Sequence, residues 1–209
     1  NSSINMDIMN FLSIDCSTDI GSLFIKAKGK TFSKILQSDK LNNDLLMKQI
    51  IVFFKENNLS FEDISNIFVN QGPGNFSGLR GSLAISKGIS LAKNLKLFGY
   101  DSFIWASAKF YKKKKFIFSL VKFRERYFLK KFDSELKSLS KAEEVGSNEM
   151  VKKIGNNFCT ISRKNMKHFD AKILQFNNLS IVDLDHNVLE FLYLRGLLNK
   201  KFIKPLYLS

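Results

Sequence analysis

The spacing of apolar and polar residues changes several times along the chain, and each change predicts an element. Phe11 to Asp15, Ser22 to Ala27 and Thr31 to Leu36 are short runs with strand composition, and Gly21 and Gly29 stand at or near the turns between them. This predicts a meander of three strands. Leu41 to Asn57 shifts to helical spacing, with Leu41, Leu45 and Leu46 opposing Asn42, Asn43 and Asp44, and Ile50 to Phe54 then places five large apolar residues in succession. Such a run wraps a helix completely, so it calls for cover from a sheet and from either an inner layer or another protein. Leu59 to Asp63 is read as the end of a loop, although Ser60 and Asp63 have capping-box spacing. Ile64 to Val69 and Leu95 to Tyr100 are further strands. The order strand, helix, strand, loop, helix is that of an α/β unit with right-handed parallel crossovers.

Between those two strands the run I-F-V-N-Q-G-P-G-N-F-S-G-L-R-G-S-L-A-I-S-K, Ile67 to Lys87, is the centre of the pattern. Gly72, Pro73 and Gly74 break the strand, and Asn75 or Ser77 can cap the following helix by accepting from its first amides. The glycines permit backbone angles that a Cβ forbids and Pro73 fixes its own φ, which predicts a sharply shaped loop with bare amides. Bare amides at a helix start attract anions. The glycines alone fit a ligand-free turn better, since the run is neither G-x-G-x-x-G nor a P-loop. In the helix, Ser77, Gly81, Ala84, Gly88 and Ala92 fall within about 80° of one another, a stripe of small residues that another backbone can approach. Leu79, Leu83, Ile85, Ile89 and Leu91 spread over much of the rest, so this helix too requires burial on more than one side.

The segment Gly72 to Arg80, G-P-G-N-F-S-G-L-R, resembles the G-P-G-S-F-T-G-L-R signature of the bacterial TsaB (YeaZ) family. A related segment in the sister family TsaD lacks the F-S/T-G-L-R continuation. The resemblance implies an α/β, actin-like and Hsp70-like (ASKHA) two-lobe fold with mixed sheets and a reduced second lobe, divided here as residues 1–98 and 99–209. It also implies a subunit of the machinery that makes threonylcarbamoyladenosine at position 37 of tRNA. In that family the helix from Leu41 and the helix after the glycine loop form the interface with TsaD or with a second TsaB. Contact candidates carried over are Leu41, Leu45, Ile50, Gly81, Ala84, Ile85 and Gly88. Phe76, Ser77 and Arg80 are the candidates for contact with a nucleotide at the subunit junction.

Composition narrows the alternatives. Two cysteines, Cys16 and Cys159, allow at most one disulfide and read as reduced thiols, and two histidines outside any H-x-x-x-H spacing disfavour a histidine-built metal site. No apolar run approaches the roughly 20 residues of a membrane span, and the start lacks a secretion signal, so a cytoplasmic protein is expected. The net charge of +14 suits a tRNA-facing assembly. Only five of the 33 basic residues are arginine, however, and the Lys, Asn, Ile and Phe content also fits a coding sequence rich in A and T.

Elsewhere Asp15-Cys16-Ser17-Thr18-Asp19 resembles the family's I-D-T-S-T segment and, more distantly, the first phosphate loop of actin-like ATPases. Two readings remain: a strand-end turn in which Asp15 and Thr18 satisfy local amides, or Asp15 as a metal-linked carboxylate. Gly99-Tyr100-Asp101-Ser102 resembles the family's G-V-S-S at the lobe junction. Lys112 to Lys115 is a basic run between Tyr111 and Phe116, readable as a solvated turn or as a single-stranded nucleic-acid contact. Phe116 to Phe123 and Tyr127 to Phe132 predict a hairpin at the place of the family's D-A-R-x-x-E-V-Y. Leu120 and Lys122 replace its acid and arginine, which weakens an anion role there. Ala142 to Lys153 is predicted as a helix, Gly155-Asn156-Asn157 as a turn, and Asp185 to Leu198 as amphipathic. The ending Pro205-Leu206-Tyr207-Leu208 resembles the family's P-x-Y-L-R and leads to the expectation of a whole domain.

Three functional readings follow. The first is a non-catalytic scaffold with no catalytic or metal residues of its own. It pairs with TsaD, binds TsaE with nucleotide, forms a homodimer when alone and meets tRNA through the complex. It holds no cofactor tightly by itself, ATP or ADP lying at the interface. The second is an enzyme acting alone, an actin-like ATP-dependent phosphotransferase or a glycoprotease-like peptidase, for which no second phosphate loop, ligand cluster or nucleophile with a base is visible. The third is a stand-alone tRNA binder.

Overall fold

The computed structural model describes residues 9–36, 43–166, 168–200 and 203–206. Phe11–Asp15 (β1), Gly21–Ala27 (β2) and Lys30–Leu36 (β3) form the antiparallel meander. Lys28 (φ 52°) and Gly29 (φ 71°) make its second turn. A two-residue turn with both φ values positive matches the twist of the strands it joins. Asn66–Asn70 (β4) lies parallel to β1, and Lys96–Tyr100 (β5) lies parallel to β4, giving the order β3-β2-β1-β4-β5. Parallel neighbours require long crossovers, here Asn43–Glu56 (α1) and Phe76–Lys93 (α2). Leu59 to Asp63 is more than a loop end, since Phe61–Asp63 forms a 3-10 turn and the Ser60 amide donates to the Asp63 carboxylate at 2.8 Å.

Alternation sorts this sheet into two faces. Leu12, Ile14, Leu23, Ile25, Ile67 and Val69 pack beneath α1 and α2, against Leu46, Ile50, Phe53, Phe54, Leu83 and Ile89. Phe11, Phe24, Phe68 and Phe98 point the other way. Each large side chain removed from water there contributes about 1.5–3 kcal/mol.

After β5, Asp101 caps Ser102–Ser107 (α3) by accepting from the Ile104 amide at 2.7 Å. Phe116–Phe123 (β6), Arg126–Asp133 (β7) and Glu143–Val145 (β8) make a second antiparallel meander, while Cys159–Ser162 (β9) and Leu179–Val182 (β10) add in parallel. The order β10-β9-β6-β7-β8 repeats that of the first sheet strand for strand. Its crossovers are short: Ser147–Ile154 (α4), then Arg163–Met166 (α5) and Ala171–Leu174 (α6). The predicted helix Ala142 to Lys153 is corrected, because its first residues pair with β7 as β8 and the helix starts at Ser147. The amphipathic stretch Asp185 to Leu198 holds the shorter helix Val188–Leu194 (α7), stopped by Gly196 at φ 67°.

The inner faces of the two sheets meet over one core. Phe11, Phe24, Phe68 and Phe98 pack with Ile117, Val121, Phe128 and Phe132, and α3 and α7 contribute Phe103, Trp105, Leu189 and Leu192. The outer face of the second sheet, with Leu120, Leu129 and Ile161, is covered by Met150, Ile154 and Ile173. Residue 98, the end of the first unit in the sequence reading, lies inside β5. Late residues also return to the first sheet. Asn199 bridges Gly99, the Gln71 side chain donates to the Lys204 carbonyl at 2.8 Å, and the Leu206 amide donates to the Gln71 carbonyl at 2.8 Å.

Candidate functional site

A cleft of about 340 Å³ opens between the two sheets at the end of β1 and the β6–β7 hairpin, lined by Asp15, Ser17, Asn75, Lys122, Arg124 and Lys164 among others. Crevices outside the carboxyl ends of strands are the usual ligand sites of open α/β sheets. Asp15 ends β1 and is fully buried. Its Oδ1 accepts from the Ser17 amide at 3.0 Å, the Ser17 hydroxyl at 2.6 Å and Asn70 Nδ2 at 3.1 Å, and its Oδ2 accepts from Lys164 Nζ at 3.2 Å. Burial pushes this carboxyl up, but the Lys164 ammonium and the Ser17 donors outweigh it and leave Asp15 below its usual value. An ionised carboxylate surrounded by donors orients its neighbours and makes a poor general acid or base at neutral pH.

The local-turn reading of Asp15 and Thr18 is therefore corrected. Asp15 does take the Ser17 amide, but it is also bound across the cleft by Lys164, and the Thr18 hydroxyl donates to the Ile20 carbonyl at 2.9 Å. The metal-linked reading fits no better, since Lys164 already compensates the charge. Among the described residues no three His, Cys, Asp or Glu side chains are grouped as metal ligands.

The titratable neighbours are held inert. Burial, then the Asp15 charge, pushes the Cys16 thiol up to about 12. Burial pushes His186 down to about 4 despite the nearby Asp15 carboxylate, so the ring is neutral at physiological pH. It bonds Ser13 Oγ at 2.7 Å and Ser22 Oγ at 3.1 Å and stacks on Phe24, which makes it a link between α7 and the first sheet.

The glycine loop is shaped by contact. The Gly72 amide donates to Asn70 Oδ1 at 2.8 Å, the Asn75 amide donates to the Ser17 carbonyl at 2.8 Å, and Asn75 caps α2 by accepting from the Gly78 amide at 3.2 Å. These amides are engaged, so the expectation of a bare, anion-attracting loop does not hold for them. A Cβ on Gly74 would lie 1.9 Å from the Ser17 carbonyl oxygen, and one on Gly78 would lie 2.4 Å from that of Cys16. The two glycines let the loop rest directly on the β1–β2 turn.

The contact candidates separate. Leu41 lies outside the described residues. Ile50 is completely buried beside Phe53 and Phe54, at i, i+3 and i+4 facing the sheet, and Gly81 is buried in α2. Leu45, Ala84 and Gly88 are exposed and Ile85 is half-buried. The five-residue apolar run thus points three side chains inward and leaves Ile51 exposed and Val52 half-buried. Leu91, at 85 % exposure, is the most open large apolar side chain among the described residues. Phe76 and Ser77 line the cleft mouth, whereas Arg80 lies outside it with its guanidinium over the Phe76 ring at 5.2 Å.

Sequence reasoning missed the second half's contribution. Lys122 is buried in the cleft wall with Glu125 Oε2 at 3.7 Å and Asp170 Oδ1 at 3.9 Å, so a cation persists where the family has arginine. Lys164 lies in α5, just past the end of β9, and reaches across the cleft to Asp15.

The sequence model of the TsaD family, tRNA N6-adenosine threonylcarbamoyltransferase, matches residues 38–121. The tRNA threonylcarbamoyladenosine biosynthesis protein TsaB of Buchnera aphidicola subsp. Baizongia pistaciae (strain Bp) is 33% identical over 90 residues, 42% of this chain. That match spans 40% of the relative's length. Two solved structures share the fold: an uncharacterised protein with similarity to peptidase YeaZ from Pseudomonas aeruginosa, and YeaZ from Pseudomonas aeruginosa. The first has a TM-score of 0.72 at 14% identity and covers 97% of this chain and 100% of that one. The second has a TM-score of 0.68 at 14% identity and covers 96% and 100%. The fold is the two-sheet α/β fold of these two structures, and the sequence matches to TsaB and to the TsaD family each cover about two fifths of this chain.

Proposed function

We propose, taking the TsaB (YeaZ) assignment as premise, that this chain is a non-catalytic cytoplasmic subunit in the synthesis of threonylcarbamoyladenosine at position 37 of tRNA. It pairs with a TsaD-type subunit through the outer surface of α1 and α2. The observation that carries this reading is the exposed side of α2. Ala84, Gly88, Leu91 and Ala92 are all open there, and a Cβ built on Gly88 meets nothing within 4 Å. A helix face that combines small residues with an exposed leucine allows close approach of a second helix, and α1 adds Leu45 and Ile51 beside it.

Alone, the same face pairs two copies of this chain. ATP or ADP lies at the junction near Phe76, Ser77 and Arg80, a TsaE-type subunit joins with nucleotide, and tRNA is engaged through the assembly. The reaction is left to the partner, because Asp15 is neutralised by Lys164 and both cysteines are buried thiols. Among the described residues no helix is long and apolar enough to cross a membrane.

Co-expression with the TsaD subunit of the same organism tests the pairing. Co-purification of the wild-type pair is expected, with its loss on Ala84→Arg plus Leu91→Glu while the thermal midpoint of the isolated chain stays within about 2 °C. A pair unaffected by both substitutions overturns the interface.

A further inference from the structure

The stretch from Ser102 to Arg124 contains seven basic residues and no acid: Lys109, Lys112, Lys113, Lys114, Lys115, Lys122 and Arg124. Lys112 to Lys115 are exposed on a turn that is firmly held, since the Lys112 amide donates to the Ser134 carbonyl at 2.6 Å and the Lys113 amide donates to the Phe110 carbonyl at 2.9 Å. The charges are therefore displayed from a fixed backbone. Aromatic rings lie among them. Lys114 Nζ sits 4.7 Å from the Phe158 ring, and Lys115 and Lys131 share Phe116 at 5.5 and 4.5 Å. Beside the turn a groove of about 370 Å³ is floored by Tyr111, Val188 and Phe191 and rimmed by Lys109, Lys113 and Asn187. Tyr111 and Phe191 meet edge to face at 5.2 Å, and the Arg195 guanidinium covers Phe191 at 3.5 Å. Lys112 Nζ pairs with Glu135 at 3.6 Å.

We propose that this face binds single-stranded or loop RNA, with Lys112 to Lys115 on successive phosphates and an unstacked base in the Tyr111–Phe191 groove. Ammonium groups fixed along one turn match the charge of a phosphate backbone, and the Arg195 guanidinium lying on the Phe191 and Tyr111 rings offers a base a flat cationic surface beside them. A duplex presents no splayed base to such a groove, and a polyglutamate chain has no aromatic ring to fill it. The inference adds a direct RNA contact to the proposed function and rests on it only for the identity of the natural RNA.

Fluorescence anisotropy of the isolated full chain with a mixed-sequence single-stranded RNA of about 12 nucleotides, across a salt series, tests this without the partner subunit. Changing Lys112, Lys113, Lys114 and Lys115 all to Gln is expected to weaken binding at least about tenfold near 0.1 M salt and to lower the salt slope by about 2 to 3. The same change at Lys48, Lys93, Lys152 and Lys172, also exposed, alters the net charge equally and is expected to weaken binding less than about threefold. Tyr111→Leu is expected to weaken binding at least about fivefold with the slope unchanged. Equal loss from the two quadruple variants, absence of RNA binding by the wild type, or polyglutamate competing as well as unlabelled RNA would each overturn the proposal. Failure here leaves pairing with a TsaD subunit standing, and loss of pairing leaves the RNA result readable.

Discussion

The two sheets share one strand order, yet the first is crossed by helices of 14 and 18 residues and the second by helices of eight, four and four. The shorter set seals its sheet with Met150, Ile154 and Ile173, so sealing alone does not require long crossovers. The extra length in the first half is surface, and much of it is apolar or small. The cleft is divided in the same spirit. The first half supplies a carboxylate and a backbone loop fixed by glycine contacts, and the second supplies the cations Lys122 and Lys164. One half presents shape and the other presents charge.

The largest expected effect breaks the shape side. Gly74→Ala drives a Cβ into the Ser17 carbonyl and is expected to cost more than about 3 kcal/mol in urea unfolding. Gly146→Ala in the second half meets nothing within 4 Å and is expected to cost less than about 1 kcal/mol. Similar costs for the two would erase the contrast.

Next comes the tie between the halves. Lys164→Met strands a fully buried carboxylate and is expected to destabilise by about 2–4 kcal/mol, discounted because the lysine is 31% exposed. Adding Asp15→Asn should recover more than half of that loss. A double variant no more stable than Lys164→Met would show that the pair is not the source of the effect.

Acid sharpens the comparison further, because two groups at the junction act in the same direction. His186 has a folded pKa of about 4, below its ordinary 6.5, so the unfolded chain takes up its proton first. Stability is therefore lost as pH falls from about 6.5 to 4, by at most about 3 kcal/mol, and this loss is flat below. Asp15 is also lowered, so its contribution is present above its unfolded value of 3.8 and disappears as pH falls through the lower folded value. Unfolding free energy measured from pH 7 to 4 should level off in His186→Gln; an unchanged slope would assign the dependence elsewhere.

The smallest effect separates surface from fold. Gly88→Ala is expected to raise the stability of the isolated chain by about 0.5–1 kcal/mol, since it removes a glycine from a helix interior into open space. It should also weaken pairing with the partner, read as a higher dissociation constant by calorimetry. Tighter pairing would put another face of α2 at the interface.

Much of the first half was legible because its signals are local. Alternating residues, Gly29 in a two-residue turn and the Asn75 cap each act within a few positions, and the strands fall within about two residues of the reading. Glu143–Val145 was not legible, because a three-residue strand exists through pairing with β7 and not through its own composition. The amphipathic stretch Asp185 to Leu198 runs past the helix because Leu197, beyond the stop at Gly196, still packs its side chain on the central core. Lys164 and His186 gave no local hint, since their partners Asp15 and Ser13 are 149 and 173 positions away. Lys122 was noticed only as a replacement for arginine in the hairpin, and its burial in the cleft wall depends on Asp170 and Glu125 being brought beside it. Burial of Ile50 was foreseen, but whether sheet or partner would bury it is decided by the packing of α1.

The clasp on Gln71 has a consequence for the order of synthesis. Gln71 occupies space that only Gly99 leaves open, and it is secured by Asn199, Lys204 and Leu206. A ribosome emits the first sheet and its two helices long before those late residues exist, so the nascent chain carries an unlatched glycine loop until translation has passed Leu206. Protease nicking near Gly72 in stalled chains, absent once the full length is released, is the signature to expect; equal resistance before and after would mean that the loop sets without its latch.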